Sequence, residues 1–393
     1  MEATTAVFSP EEMMKLDGID HLHRMSAVPN PFWNRARFEI TWALPSMCGL
    51  LDRPAVTVAP MRIASRDELR IYHDISYIET IELFGNLGNA FSSRFGLDTD
   101  ACPVFQDFHL YAAYPVGASI DSVMGVATGR FKNAVSFYGG LHHATESRAS
   151  GFCYYNDCVI AIKKYRAMFP DKRVLYLDTD VHHGDGTQQA FYVDRNVLTI
   201  STHEFSLGFF PGTGQSDEIG YGDGKGYSVN IPLPPLTDDF EFWRAFEDVI
   251  VPIWSAYKPD LVFWDVGADC HQGDPLADLM LTNDTYVRMA KTAKKLTHRH
   301  GSGLVITGGG GYNPVSTAKV WTLVLAEIAG LSLPPELPRE WIDLCARHGY
   351  VVDRDCWTDR PHRVSCEHES NIRRAVDEAI SAAKTQFFPV FGL

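Results

Sequence analysis

The sequence predicts an α/β protein: one three-layer domain with a central, mostly parallel sheet flanked by helices. Three observations carry this. Helical patterns alternate with short strands through the middle of the chain. Those strands are nearly all apolar, as strands buried on both faces are. And nearly every unusual polar cluster sits just after a strand. LHHA follows NAVSFYGG, HHGDG follows VLYLDTD, ADCHQGD follows LVFWDV, and GGGGYN follows LVIT. In an open α/β sheet the ligand site lies outside the carboxyl ends of the strands. Loops far apart in sequence would then meet at one pocket, which needs a single domain across about 133–330.

The elements follow in order. RARFEITWALPSMCGLLD (35–52) reads as a helix, with Pro45 as a kink or break. ELRIYHDISYIETIELF and GASIDSVMGVATG read as helices, and NAVSFYGG (133–140) as a strand ending in glycines. NDCVIAIKKYRAMF (156–169) is helical and stopped by Pro170. Strands RVLYLDTD, NVLTISTH, GYSVNIPL, DLVFWDVGAD and GLVITGGGG come next, with helices near 239–257 and 283–299 between them. NPVSTAKVWTLVLAEIAG closes the pattern as a helix stopped at Gly330. No internal repeat, low-complexity tract or Gly/Ser linker interrupts the 393 residues.

Composition narrows the function classes. The chain is 45% hydrophobic, so its core needs no disulfide or structural metal. Its net charge of −14 argues against direct nucleic-acid binding and suits a basic substrate or partner, although a plain solubility charge reads the same way. The 8 cysteines form no C-x-x-C pair and read as reduced thiols of a cytoplasmic protein. MEATTAVFSPEEMMKLDGID lacks the basic and apolar regions of a secretory signal. No apolar run approaches the roughly 18 residues of a membrane span. The oligomeric state stays open, a homo-oligomer included.

The chemistry concentrates in YLDTDVHHGDGTQQAFY (176–192). Carboxylates and imidazoles this dense suit a divalent metal, zinc above all. If the strand runs on, Asp178 and Asp180 point to one side. Asp180 and His182 offer two ligands, and Asp269 from another strand is the best third, with Asp274 and His271 as rivals. Two carboxylates and one imidazole leave an open position for water. A turn cap is the competing role for Asp269. His142 and His143 read as general acid/base groups, with Asp178 and Asp185 as spare carboxylates to orient them. Gly308 to Gly311 allow a sharp turn and close approach to a ligand or a phosphate, and Tyr312 then either presents a phenol as an oxyanion donor or caps the core. No Lys-Ser/Thr follows these glycines, which excludes a P-loop. Phe152 and Phe210 are either core aromatics or the two walls of a slot for a methylene chain.

GGLHHA, SGFCYYND, YLDTDVHHGDG, STHEFSLGFFPGTG, GADCHQGDPLADLMLT and GGGGY together resemble the signature blocks of the zinc-dependent histone deacetylase family, in order and spacing, from about 20 to 330. Length and the DPL-containing block look most similar to prokaryotic acetoin-utilisation-type deacetylases, relatives of the class I enzymes. The resemblance implies the arginase–deacetylase fold with about eight strands over a core of about 20–330; the rest, 331–393, reads as a C-terminal helical extension, and 333–393 matches no class I tail. It implies Asp180, His182 and Asp269 as zinc ligands (iron being the alternative metal in the cell). His142 and His143 become tandem histidines partnered by Asp178 and Asp185, and Tyr312 the carbonyl-polarising tyrosine. Gly151, Phe152, Phe210 and Leu276 match tunnel positions, and Gly310 is set with them against the substrate. One potassium ion is implied at Asp178, Asp180, His182, Ser201 and Thr202, largely through backbone carbonyls. A second is implied at Phe191, Asp194, Val197 and Tyr227. Besides that unmatched C-terminal stretch, two departures stand out. The family's rim aspartate directly precedes Cys-Pro, whereas here Ala101 precedes Cys102-Pro103 and Asp100 falls one residue early. The 21–37 stretch is longer than the family's usual opening segment and would remodel one wall of the pocket mouth.

The implied activity is metal-assisted hydrolysis of an acyl amide on the Nε of lysine in a protein or peptide. The alternative is a small acyl amide such as an acetylpolyamine. A third reading is an inactive acyl-lysine binding module. A two-manganese ureohydrolase would need more bridging aspartates than the sequence offers.

Overall fold

The computed structural model describes residues 4–25, 30–361 and 366–393. Eight strands form one parallel sheet: β1 (Thr5–Ser9), β2 (Val56–Pro60), β3 (Asn133–Ser136), β4 (Val174–Asp178), β5 (Val197–Glu204), β6 (Ser228–Leu233), β7 (Leu261–Asp265) and β8 (Gly303–Thr307). Their order across the sheet is β2-β1-β3-β8-β7-β4-β5-β6. β4 (VLYLD) and β7 (LVFWD) are buried along their whole length, which explains their unbroken apolar runs.

The register is what positions chemistry. Ser136 pairs with Thr307, Thr307 with Asp265, Asp265 with Asp178, Asp178 with Ser201, and Ser201 with Asn230. Six adjacent strands therefore switch from apolar to polar in one straight row. Every side chain in that row is buried. Buried polar groups in a continuous line must satisfy one another or hold a ligand.

Helices cover the sheet, and their ends follow local capping chemistry. Asn156 opens the Asp157–Met168 helix by accepting from the Val159 N–H at 2.9 Å. Asn313 does the same for Val315 at the start of Pro314–Ala329, where Pro314 stands in the first turn and Gly330 closes the helix in the left-handed region.

Several expected boundaries move. The helix from Arg35 ends at Met47, and Pro45 is absorbed in its last turn without a break. The stretch 68–84, expected as one helix, is two. Arg66–Leu69 is a short capped turn with a Ser65/Glu68 capping box, and Ile75–Leu87 restarts after Asp74. The helix expected from Gly117 begins earlier, at Phe108. The strand at 133–140 stops at Ser136, leaving the glycines free to turn. β4 stops at Asp178, so alternation does not carry on to Asp180. β1 and β2 were not anticipated as strands. Each has only five residues. Beyond 331 lie helices Arg339–Arg347 and Cys366–Phe391. Of the 21–37 stretch, residues 26–29 lie outside the described residues.

Candidate metal centre and active site

Four adjacent strands deliver the site. β3 leads to His142 and His143, β8 to Tyr312, β7 to Asp269, and β4 to Asp178, Asp180 and His182. Asp180, His182 and Asp269 bring one ligand atom each to within 4.8 Å of one another, all three residues buried. His182 Nδ1 lies 3.3 Å from Asp180 Oδ1 and 3.2 Å from Asp269 Oδ2. The rivals for the third position are engaged elsewhere. His271 Nε2 meets Asp359 Oδ2 at 3.1 Å, and Asp274 Oδ2 accepts the Tyr312 N–H at 2.7 Å.

This trio fits a divalent cation. No lysine or arginine pairs with Asp180 or Asp269 among the described residues. Burial and the neighbouring Asp180 charge push the Asp269 carboxyl up to about 7. Burial works against a charged His182, but Asp180 and Asp269 outweigh it and hold the imidazole at about 10. In the metal-free chain a proton therefore stands where a cation would. Two glycines let the backbone approach the carboxylates closely. A Cβ on Gly310 would lie 2.0 Å from Asp269 Oδ2, and one on Gly267 would lie 2.4 Å from Asp180 Oδ2. The Gly310 N–H donates to Asp180 Oδ2 at 2.6 Å. That glycine thus backs the carboxylates, and it does not line the acyl cavity where it was expected against the substrate.

The two histidines are neighbours with opposite protonation. His142 Nδ1 lies 3.0 Å from Asp178 Oδ2, His143 Nδ1 2.7 Å from Asp185 Oδ1, and the two Nε2 atoms are 3.0 Å apart. Burial disfavours charge on His142, yet the adjacent Asp178 and Asp180 carboxylates hold it well above the usual range. Burial, then the His142 charge, pushes His143 down to about 4. One imidazole holds a proton and the other is free to take one.

A cavity of about 240 Å³ opens onto this cluster. Ala101, His143, Gly151, Phe152, His182, Phe210, Leu276 and Tyr312 line it. Phe210 meets the His143 ring edge-on at 4.8 Å, and Phe152 lies 5.6 Å from the Tyr312 ring. Gly151 must lack a side chain, since its Cβ would sit 2.4 Å from His143 Cδ2. Burial keeps the Tyr312 phenol protonated well past its usual range, so it faces the cavity as a donor. Asp100, expected at the rim, is exposed and does not line this cavity; Ala101 does.

The residues that the family resemblance implies for potassium have the following partners. Ser201 Oγ bonds His203 Nδ1 at 2.9 Å, while the buried Thr202 hydroxyl has no partner among the described residues. Phe191 O accepts the Asp194 N–H, Asp194 O the Val197 N–H, and Tyr227 O the Thr199 N–H.

Sequence reading missed four supporting residues. Asp265 lies 3.6 Å from His142 Nδ1 and shares the Tyr176 hydroxyl with Asp178. Its signal was available, because LVFWD ends β7 as VLYLD ends β4. Asp157 accepts the Gly140 and Leu141 N–H groups and fixes the glycine turn before the histidines. Asn156 donates to His142 O and Ala144 O. Arg37, fully buried, donates to Gly311 O and Gly309 O and so holds the glycine loop of Tyr312. Nothing in their local sequence separates the last three from ordinary caps and surface charges.

The histone deacetylase domain model matches residues 32–328. The chain belongs to the histone deacetylase family. Acetoin utilization protein AcuC of Bacillus subtilis (strain 168) is 37% identical over 338 residues, covering 84% of this chain and 85% of that protein. Histone deacetylase 8 of Danio rerio is 35% identical over 337 residues, covering 84% and 83%. A crystal structure of a histone deacetylase homologue in complex with SAHA superposes with a TM-score of 0.81 at 26% identity, covering 98% of this chain and 100% of that one. The sheet is the arginase–deacetylase fold of this family, and membership makes the chain an amidohydrolase with a His/Asp/Asp group able to hold a metal ion. No described helix is long and apolar enough to cross a membrane.

Proposed function

We propose that this protein is a zinc-dependent deacylase that removes acetyl or other short acyl groups from the Nε of lysine in proteins or peptides. The observation that carries the reading is one apolar cavity ending on three kinds of group: a carboxylate–imidazole cation trio, a histidine pair of split protonation, and a buried phenol. Asp180, His182 and Asp269 would hold zinc, or iron in the cell. The metal supplies Lewis acidity toward the acyl oxygen and a more acidic water.

The chain's own residues do the rest. Phe152 and Phe210 wall the methylene stem, with Gly151 and Leu276 completing the tunnel. Tyr312 donates its phenolic hydrogen to the acyl oxygen as negative charge gathers there. His143, neutral and oriented by Asp185, takes the proton of the attacking water. His142, oriented by Asp178, stabilises the developing charge, and the pair returns a proton to the leaving amine. Acetate and a free lysine amine are the products.

Potassium ions at Asp178, Ser201 and Thr202, and at Phe191, Asp194, Val197 and Tyr227, would steady the β4 and β5 loops from below. The chain works as one catalytic domain, with 331–393 as a helical extension, in the cytoplasm and without direct nucleic-acid contact. A small acyl amide such as an acetylpolyamine is the second reading, favoured by Ala101 lining the rim where a carboxylate would hold a peptide backbone.

Turnover of acetyl-, propionyl- and longer acyl-lysine peptides, set against acetylputrescine, tests the choice. The peptide series is expected to win, and preference for acetylputrescine would replace the reading with the second. Tyr312→Phe should lower kcat about 10²–10³-fold, the scale of one lost oxyanion donor. Undiminished turnover would remove Tyr312 from the mechanism.

A further inference from the structure

One stretch of chain grips the acyl tunnel without lining it. Residues 30–37 lead into the Arg35–Met47 helix, and three of their side chains donate to backbone carbonyls of three different tunnel loops. Asn30 Nδ2 donates to Asp100 O at 3.2 Å, beside Ala101 at the rim. Trp33 Nε1 donates to Phe152 O at 3.1 Å. Arg37 donates to Gly309 O and Gly311 O, just before Tyr312. The segment is itself fixed. Asn30 Oδ1 accepts the Phe32 and Trp33 N–H groups at 3.0 and 2.8 Å, and Asn34 caps the helix through the Ala36 N–H at 2.9 Å. Asn30, Phe32, Trp33 and Arg37 are all buried.

What the segment holds is a strained wall. Phe152 stands at φ 66°, in the left-handed region that a bulky side chain avoids. Such a conformation persists only where its surroundings over-determine it. The turn supplies part of that, since Ser150 and Cys153 exchange backbone bonds of 3.1 and 2.8 Å. The other part comes from 119 residues away, as the Trp33 bond. Phe32 adds its ring, stacked on Phe152 at 5.8 Å with the planes 7° apart. The Arg37 guanidinium lies 4.4 Å from the centre of the Phe32 ring, so the hold on Phe152 and the hold on the Tyr312 loop are one contact apart.

We propose that Asn30, Phe32 and Trp33 are positioning residues that fix the width of the tunnel, and that through them the enzyme is restricted to short, unbranched acyl chains. A wall tied from behind does not recede to admit a longer chain, so the order built into Phe152 becomes selectivity among substrates. This inference rests on the deacylase reading above for its substrate.

Turnover of acetyl-, butyryl- and isobutyryl-lysine peptides by the full-length, metal-loaded protein tests this, together with crystal structures of the variants. The wild type should prefer the acetyl peptide. Phe32→Ala and Trp33→Phe should each raise the ratio of kcat/KM for butyryl over acetyl about tenfold, the low end of what one methylene decides in an apolar pocket. In both, Phe152 should leave the left-handed region or its ring should shift against Tyr312. Trp357→Phe removes a similar indole bond, to Pro334 O at 2.8 Å, from a residue that touches none of the tunnel loops' carbonyls. It should leave the ratio unchanged, which separates the clamp from a general loss of stability. Should Phe32→Ala not fold, Trp33→Phe, which keeps an aromatic ring in place, carries the comparison. An unchanged ratio with Phe152 unmoved, or an equal rise in Trp357→Phe, overturns the proposal. A wild type that turns over no acyl-lysine peptide overturns the deacylase reading instead, and the position of Phe152 in the variants then decides whether the segment holds the wall.

Discussion

The loops at the carboxyl ends of the strands and the long C-terminal helix handle charge in opposite ways. At these strand ends Asp178, Asp180, Asp265 and Asp269 are buried, with histidines as their only ion-pair partners among the described residues. On the Cys366–Phe391 helix, Arg373 pairs with Glu241, Lys384 with Asp248, and Asp377 with Arg244, each pair with at least one partner well exposed to water. A carboxylate out of water is costly unless something compensates it. An ion pair at the surface contributes little. The costly arrangement therefore marks where chemistry is done, and the inexpensive one marks where the fold is merely closed.

Removing one member of the buried trio should do the most damage. Asp180→Ala is expected to abolish turnover and to lose bound metal, read by elemental analysis of the purified variant; stoichiometric metal in that variant would break the contrast. The same trio predicts that metal uptake releases protons. His182 is held at about 10 and Asp269 at about 7 in the metal-free chain, so both must give up protons to ligate. Metal affinity should rise with pH between about 7 and 10, and calorimetry in buffers of different ionisation enthalpy should register the proton release.

A buried histidine away from the metal gives an intermediate effect. His73 bonds Glu146 O through Nδ1 and accepts the Asn156 N–H at Nε2, and burial lowers it to about 4. The unfolded chain takes up this proton near 6.5 and the folded chain only near 4. The stability it contributes is thus complete above 6.5 and is lost as pH falls from there through 4, by about 3 kcal/mol. Chemical denaturation across that window should show the slope, and His73→Gln should flatten it. The smallest effect belongs to the surface. Lys384→Ala should change stability by about 1 kcal/mol or less, and a larger loss would mean that the helix is not held by its apolar face.

Much of this was legible in the sequence because the polar clusters are dense and local. DTDVHHGDG announced a site before any partner was known, and the sheet brings Asp269 to it as expected. The residues alone favoured Asp269 and left His271 and Asp274 as rivals within six residues of one another, and the family's block pattern narrowed the choice. Asp157, Asn156 and Arg37 act across 12 to 274 residues of separation, and such contacts leave no periodic trace. β1 and β2 escaped notice because five-residue strands offer too short a run to separate from a loop. The split at 70–74 was hidden for a different reason: both halves share apolar character, and the capping box at Ser65 and Glu68 alone marks the first as an independent turn.

The place of β8 has a consequence for how the site is held together. It is the last strand in the chain, yet it lies between β3 and β7. Without β8 the sheet would fall into two parts, β2-β1-β3 and β7-β4-β5-β6, with no strand pairing between them. The cation-binding trio belongs wholly to one part and the paired histidines to the other. This single strand joins them, and the loop that follows it carries the tyrosine, so the whole site depends on β8 being paired on both its edges.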